Sequence, residues 1–159
     1  MKKMFNAIGI ALLLTSGIVA AQQPSANQPS ARQAVANPDS GVIEPNAIRD
    51  AGLRVVIAID AGQAAKLWDE SSTITKRSVT REAFTAGISK SRQPLGRISS
   101  RNWLSVRRQS ADGIALPPGL YASTEFLAEV AGKPPIRELV SFRLDEDGAW
   151  RFSGYSVQP

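Results

Sequence analysis

The residues of this sequence that could do chemistry are tyrosines, carboxylates and arginines, because its 159 residues include no histidine and no cysteine. That absence removes the commonest general base, the histidine-dependent nucleophile pairs, and every nitrogen or sulfur ligand for zinc. We therefore expect no metal site and no cofactor, and the composition favours a protein without catalytic activity.

The acidic residues give no clear catalytic pair. Glu125 and Glu129 fall on one side of a predicted strand, about 13 Å apart, which is too far for joint acid and base catalysis. We expect both to lie on a solvated face. Asp145, Glu146 and Asp147 precede Gly148 in a pattern with some features of a calcium loop, but the spacing of its ligands is missing, and a hairpin turn is the better prediction.

Basic residues cluster between positions 76 and 108, where nine Lys or Arg stand against one acid, Glu82. Such a stretch could face an anionic surface, but a solvated face is the commoner outcome. Arg92 is distinctive because Arg-Gln-Pro-Leu-Gly marks the end of a helix. Its guanidinium could cap helix carbonyls or point into a pocket.

Aromatic residues are the other candidates for a binding site. Trp103, Trp150, Phe152 and Tyr155 alternate along predicted strands, where a place in the core is more usual than a pocket lining. From these patterns and the resemblance described below, we select four candidate ligand- or partner-binding residues: Arg92, Arg101, Trp103 and Tyr121.

The elements that would position these residues begin with helices. Apolar residues at three- and four-residue spacing predict a helix over Asn46–Asp60, with Asn46 as N-cap and Gly62 as its stop, and a shorter helix over Gln63–Glu70. The polar run that follows should end this second helix. A third helix is predicted after Thr80, its N-cap, and it ends at Pro94 and Gly96.

Alternating patterns follow the helices. They predict strands over 120–130, 136–144 and 149–157, with Asp147-Gly148 as the turn between the last two, and a weaker strand over 98–108. Helices followed by strands with short connections predict an α+β domain, with the helices packed on one face of an antiparallel sheet of about four strands.

The amino-terminal segment predicts export. Residues 1–21 combine Lys2 and Lys3, an apolar run and a small-residue end at Ala21, as in a cleaved secretory signal peptide; an uncleaved anchor is the alternative. Residues 22–45 read as a disordered linker, and residues 46–159 as one domain. We therefore expect a periplasmic or secreted protein whose formal charge falls from +5 to +3 on cleavage.

A set of short motifs resembles an exported bacterial family, the domain of unknown function 4019. The motifs are Trp68 with Ser71-Ser72, Val79-Thr80, Arg92 to Gly96, Arg101, Gly119-x-Tyr121, Glu138-x-Val140 and the ending Asp147 to Tyr155. The sequence departs from the family pattern at Arg54-Val55 and Phe84, where tryptophan is usual. The resemblance implies a curved sheet like the cystatin-like or nuclear-transport-factor-two-like roll, whose cone holds a small ligand in many members. It implies no activity.

Three functions follow from these observations. The favoured one is a non-catalytic module of the cell envelope that binds a small molecule or another envelope protein. The alternatives are a small enzyme with a cone-shaped pocket that uses Tyr, Asp, Glu or Arg, and a purely structural accessory domain. We expect no nucleic-acid partner, because the protein is predicted to be exported, and a homodimer through a strand edge is possible.

Overall fold

The computed structural model describes residues 43–158, which form four helices followed by four strands. The helices are α1 (Pro45–Asp60), α2 (Ala64–Asp69), α3 (Thr73–Ser78) and α4 (Arg81–Arg92), with a 3-10 turn at Gln93–Leu95. The strands are β1 (Ile98–Ala111), β2 (Gly119–Val130), β3 (Ile136–Leu144) and β4 (Trp150–Gln158). The predicted α+β class is confirmed. The predicted signal peptide and nearly all of the predicted linker lie outside the described residues.

The sheet is an open antiparallel meander in the order β1-β2-β3-β4. The predicted turn joins β3 to β4, where the Gly148 N–H donates to the Asp145 carbonyl at 2.9 Å and Gly148 has a φ of 78°. The strand predicted over 98–108 is the edge strand β1, and it continues to Ala111. All four predicted strands are therefore present.

The core lies between α1 and the sheet. Val56 of α1, Ala128 of β2 and Val140 of β3 are fully buried. Gly52 lets the helix approach closely, since a Cβ there would overlap the Thr124 methyl group and lie 3.2 Å from the Phe126 ring. Side chains of α1 therefore fill this part of the sheet face. Among the helices of residues 43–158, none is long and apolar enough to cross a membrane.

The helix caps show which local predictions hold. The Thr80 hydroxyl accepts from the Ala83 N–H at 3.2 Å and caps α4, as predicted. The prediction that Asn46 caps α1 was wrong, because Pro45 begins this helix and the Glu44 carboxylate accepts from the Ala47 N–H at 2.8 Å.

The short helix α3 was not predicted. The second helix ends at Asp69, before the polar run as predicted, and that run also supplies the N-cap of α3, Ser72, whose hydroxyl accepts from the Thr75 N–H at 3.3 Å. The Asp145 carboxylate accepts from the Thr73 N–H at 3.0 Å. The first turn of α3 is therefore stabilised by a residue distant in sequence.

Candidate functional site

Arg101 and Glu138 form a buried ion pair. Glu138 has no exposed surface, and the Arg101 side chain is only 9% exposed. Arg101 donates from Nε to Glu138 Oε2 at 2.5 Å and from Nη2 to Oε1 at 3.2 Å. The Tyr155 hydroxyl donates to the same Oε1 at 2.7 Å. Because hydrogen bonds occupy both carboxylate oxygens, Glu138 is poorly placed to act as a general base.

Asp60, the last residue of α1, joins two arginines. It accepts from Arg101 Nη1 at 2.7 Å and from Arg92 Nε at 2.6 Å. Arg92 also donates to the Gly96 carbonyl at 2.6 Å, beyond the end of α4. Arg92 therefore bonds to a carboxylate of α1 and to a carbonyl beyond α4, and not to the helix carbonyls that the sequence led us to expect. We call Asp60, Arg92, Arg101, Glu138 and Tyr155 the Asp60–Glu138 network.

The network shifts the ionisation of its members. Burial alone would raise the pKa of Asp60, but hydrogen bonds from Arg101 and Arg92 outweigh it and hold that pKa below its ordinary value. Burial, together with the charge of Glu138, raises the pKa of the Tyr155 hydroxyl. Tyr155 therefore keeps its proton at neutral pH and is a hydrogen-bond donor rather than a nucleophile.

The Asp60–Glu138 network balances two guanidinium groups against two carboxylates, and it joins α1 and α4 to three strands. An intact buried ion pair adds little net stability, because desolvation offsets the attraction, but removing one partner costs about 3–5 kcal/mol. The contacts of the network are therefore those of a structural ion-pair cluster that holds the helices against the sheet. Among residues 43–158, no group of three or more acidic side chains is arranged to hold a metal ion.

An open groove of about 760 Å³ lies between the α3 and α4 helices and strands β2 to β4. Gln109 of β1 also borders it, as do Leu116 and Pro117 of the β1–β2 loop. We call it the α4 groove. Its volume falls within the range of small-molecule sites, about 300–1,000 Å³.

The lining of the α4 groove is mixed in polarity. Serine and threonine residues occur in the helical and the strand walls, and the apolar contributors include Val79, Phe84, Ile88 and Leu139. The hydroxyl-bearing serines and threonines are Thr75, Ser78, Ser91, Ser123, Ser141 and Ser153. No aspartate or glutamate of the described residues borders the groove. This lining suits a ligand with an apolar body and several hydrogen-bonding groups.

Arg143 contributes a positive charge to the groove lining, and the carboxylates of Asp145 and Glu146 balance that charge. Its side chain is 8% exposed, and its Nη1 donates to Asp145 at 3.0 Å and to Glu146 at 3.3 Å. Its Nη2 donates to the Pro118 carbonyl at 3.1 Å. Among the described residues, Arg143 Nε is the buried side-chain polar atom without a partner. The groove therefore presents little net charge to a ligand.

Two glycines leave room in the α4 groove. Gly87 lies inside α4 and Gly154 inside β4, and a Cβ built on either would meet nothing within 4 Å. Gly154 stands opposite Ser141, which stands opposite Ser123, so three small residues form one row across the sheet. Glycine inside a helix or strand is unfavourable by roughly 0.5–1 kcal/mol relative to alanine. No contact within the described residues requires glycine at these two positions.

The four candidate residues occupy three places. Arg92 and Arg101 meet at Asp60. Tyr121 is buried, donates to the Pro117 carbonyl at 2.9 Å and borders the α4 groove. Trp103 is 42% exposed on β1, where Arg49 lies over its ring at 5.6 Å.

Asp60, Glu138 and Tyr155 are the network residues absent from that set of candidates. Glu138 lies on the same face of β3 as Val140 and Phe142, which are core residues. An acidic residue on the core-facing side of a strand is the sequence signal for a buried, paired carboxylate. Asp60 gave no comparable signal, because helix periodicity alone places it on an exposed flank.

Residues 43–158 thus form an α+β fold with an internal ion-pair network and an open groove. Residues 51–155 match the family model described as protein of unknown function (DUF4019). The chain belongs to this family. A search of curated proteins found no match.

Proposed function

We propose that the protein is an exported, non-catalytic binding module of the cell envelope, and that the α4 groove holds a small, largely uncharged amphipathic molecule. The observation that carries the proposal is the open groove of about 760 Å³, lined by serine, threonine and apolar residues. Export rests on the composition of residues 1–21, which has the three parts of a signal peptide.

The absence of suitable reactive groups supports a non-catalytic role. The groove lining contains neither histidine nor cysteine, and no carboxylate of the described residues belongs to it. Tyr155 borders the groove, but its raised pKa keeps the hydroxyl protonated, and the proton is donated to Glu138, so the phenolate needed for base or nucleophilic catalysis is not populated at neutral pH. An enzyme built on Tyr155 and Glu138 is the less favoured alternative.

The two open glycines support a binding role. A Cβ added at either position would reduce the space of the groove without meeting another atom within 4 Å. Glycine in a strand often marks a site where a ligand approaches the backbone closely. We infer that Gly87 and Gly154 keep the groove wide enough for its ligand.

Native mass spectrometry of the protein purified gently from the envelope fraction of its own source tests this proposal. We expect a chain beginning at Gln22 and an added mass of a small molecule. The variant Gly154→Val should lose the added mass, because the new side chain fills the groove. The control Ser110→Val introduces the same side chain at a β1 residue that does not line the groove, and it should keep the added mass.

Each part of the proposal fails on a separate result. A chain that keeps residues 1–21 and stays in the cytoplasm would exclude export. A bare chain, or an added mass that survives equally in Gly154→Val, would exclude the groove as the binding site. Turnover of the bound molecule by the purified protein would favour the enzyme alternative.

A further inference from the structure

The outer edge of β1 is an open strand edge. Within residues 43–158, β1 pairs with β2 alone. From Ser105, opposite Glu125, to Ala111, opposite Gly119, the register is uninterrupted. The N–H and C=O groups on the free side of an edge strand can pair with a strand from another chain. Residues 105–111 are therefore long enough to accept a short added strand.

This edge is positively charged. Strand β1 contains no acid, and Arg107 and Arg108 are both exposed. Neither arginine forms an ion pair with any of the described residues. Glu125 on the neighbouring strand is already bonded to Arg137 at 2.9 Å. Two positive charges thus stay available along the free edge.

Apolar side chains lie exposed at the beginning of the same edge. A bulge between Trp103 and Ser105 leaves Leu104 without a partner in the ladder, and Trp103 and Leu104 are each 42% exposed. Leu53 of α1 is 39% exposed and follows Arg49, which covers the Trp103 ring, by one helical turn. We call Leu53, Trp103, Leu104, Arg107 and Arg108 the β1 edge surface.

We propose that the β1 edge surface binds an extended, acidic segment of another protein. The segment adds as a strand beside residues 105–111, with acidic side chains near Arg107 and Arg108 and an apolar side chain against Trp103 and Leu104. Main-chain pairing supplies affinity in this mode of recognition, and the side chains supply specificity. None of the five residues of the β1 edge surface lines the α4 groove, which β1 borders at Gln109, so either proposal can fail alone.

Charge complementarity favours an acidic partner over a second copy of this chain. Antiparallel pairing of two β1 edges through residues 105–111 would bring four arginines into one short ladder without a compensating acid. Like charges placed opposite each other in a sheet are destabilising. The homodimer expected as a possibility from the sequence is therefore not the occupant we propose for this edge.

Site-specific photocrosslinking in the protein's own cells tests the proposal. A photoreactive phenylalanine analogue replaces Leu104, and the control chain carries it at exposed Lys90 of α4. We expect a crosslink at position 104 to a different protein, through a peptide with net negative charge. The double variant Arg107→Glu with Arg108→Glu should lower the yield about tenfold, because attraction becomes repulsion. The control pair Arg54→Glu with Arg77→Glu should not.

Four results would overturn this assignment. They are a crosslink to a second copy of the chain, a crosslinked peptide without net negative charge, a yield no higher than at Lys90, and a yield unchanged by the charge reversal. A synthetic peptide with the crosslinked sequence provides a second measurement. It should slow hydrogen exchange of β1 amides, and protection confined to other strands would also contradict the proposal.

Discussion

Arg101 and Glu138 bind each other through two hydrogen bonds, although 37 residues separate them in the chain. Tyr155 and Asp60 complete the hydrogen bonding on either side of this pair. Removing one partner leaves the other charge buried. Removing both exchanges the pair for apolar packing, which is often neutral for stability.

We predict that Arg101→Met lowers the free energy of unfolding by about 3–5 kcal/mol, because Glu138 is left as a buried, unpaired carboxylate. The double variant Arg101→Met with Glu138→Leu should recover a large part of that loss. Urea unfolding of the wild type, both single variants and the double variant measures the coupling. Additive losses would show that the two residues do not act as a pair.

Two glycines inside helices should respond to alanine in opposite directions. Gly87→Ala should raise the stability by up to about 1 kcal/mol, because alanine is the better helix former and its Cβ meets nothing within 4 Å. Gly52→Ala should lower it by about 1–3 kcal/mol, because its Cβ overlaps Thr124 and the core has no space to adjust. Thermal unfolding of both variants provides the comparison, and equal shifts would contradict the packing described for α1.

The carboxyl group of Asp147 should titrate at about pH 2, because Arg151 donates two hydrogen bonds to it, each of 2.6 Å. This lowered pKa means that the stabilising contribution of Asp147 is complete above its ordinary value of 3.8 and is lost as the pH falls towards 2. In Arg151→Met the pKa should return towards 3.8. Carbon-detected NMR titration of the side chain measures both, and an identical midpoint in the two proteins would exclude this ion pair in solution.

The caps of α1 and α4 provide another comparison. Thr80→Ala should lower the stability by about 1 kcal/mol, because the Ala83 N–H loses its acceptor. Asn46→Ala should have a much smaller effect, because Glu44 accepts the hydrogen bond at the start of α1. Denaturant unfolding of the two variants is sufficient. A larger loss for Asn46→Ala would restore Asn46 as the cap.

The features predicted from the sequence are those that depend on near neighbours. Three such features are determined by residues close together in the sequence: the alternating pattern of β2, the N-cap of α4 at Thr80, and the turn at Gly148. Helix α3 was not predicted because six residues are too few to show a helical pattern of apolar residues. Its first turn also depends on a hydrogen bond from the Thr73 N–H to Asp145, which lies 72 positions away in the sequence. Propensity is weak in so short a helix, and tertiary contacts decide.

In the candidate site, too, features that depend on near neighbours were predicted and those that depend on distant contacts were not. The sequence indicated Arg92 and Arg101 as residues of interest but not their common partner, Asp60, which lies 41 positions from Arg101. The α4 groove could not be predicted either, because its volume depends on how far the helices stand from the sheet. Packing distances of this kind are a property of the folded domain and not of any one segment.

The separation of the network residues along the chain also bears on how fast the domain folds. Its ion pairs close loops of 32, 37 and 41 positions, and Tyr155 belongs to the last strand. Closing such loops costs entropy before any contact is gained, so chains with many distant contacts fold slowly. Glu138 should stay hydrated until Arg101 and β4 arrive together, which makes the docking of the final hairpin a late event in folding.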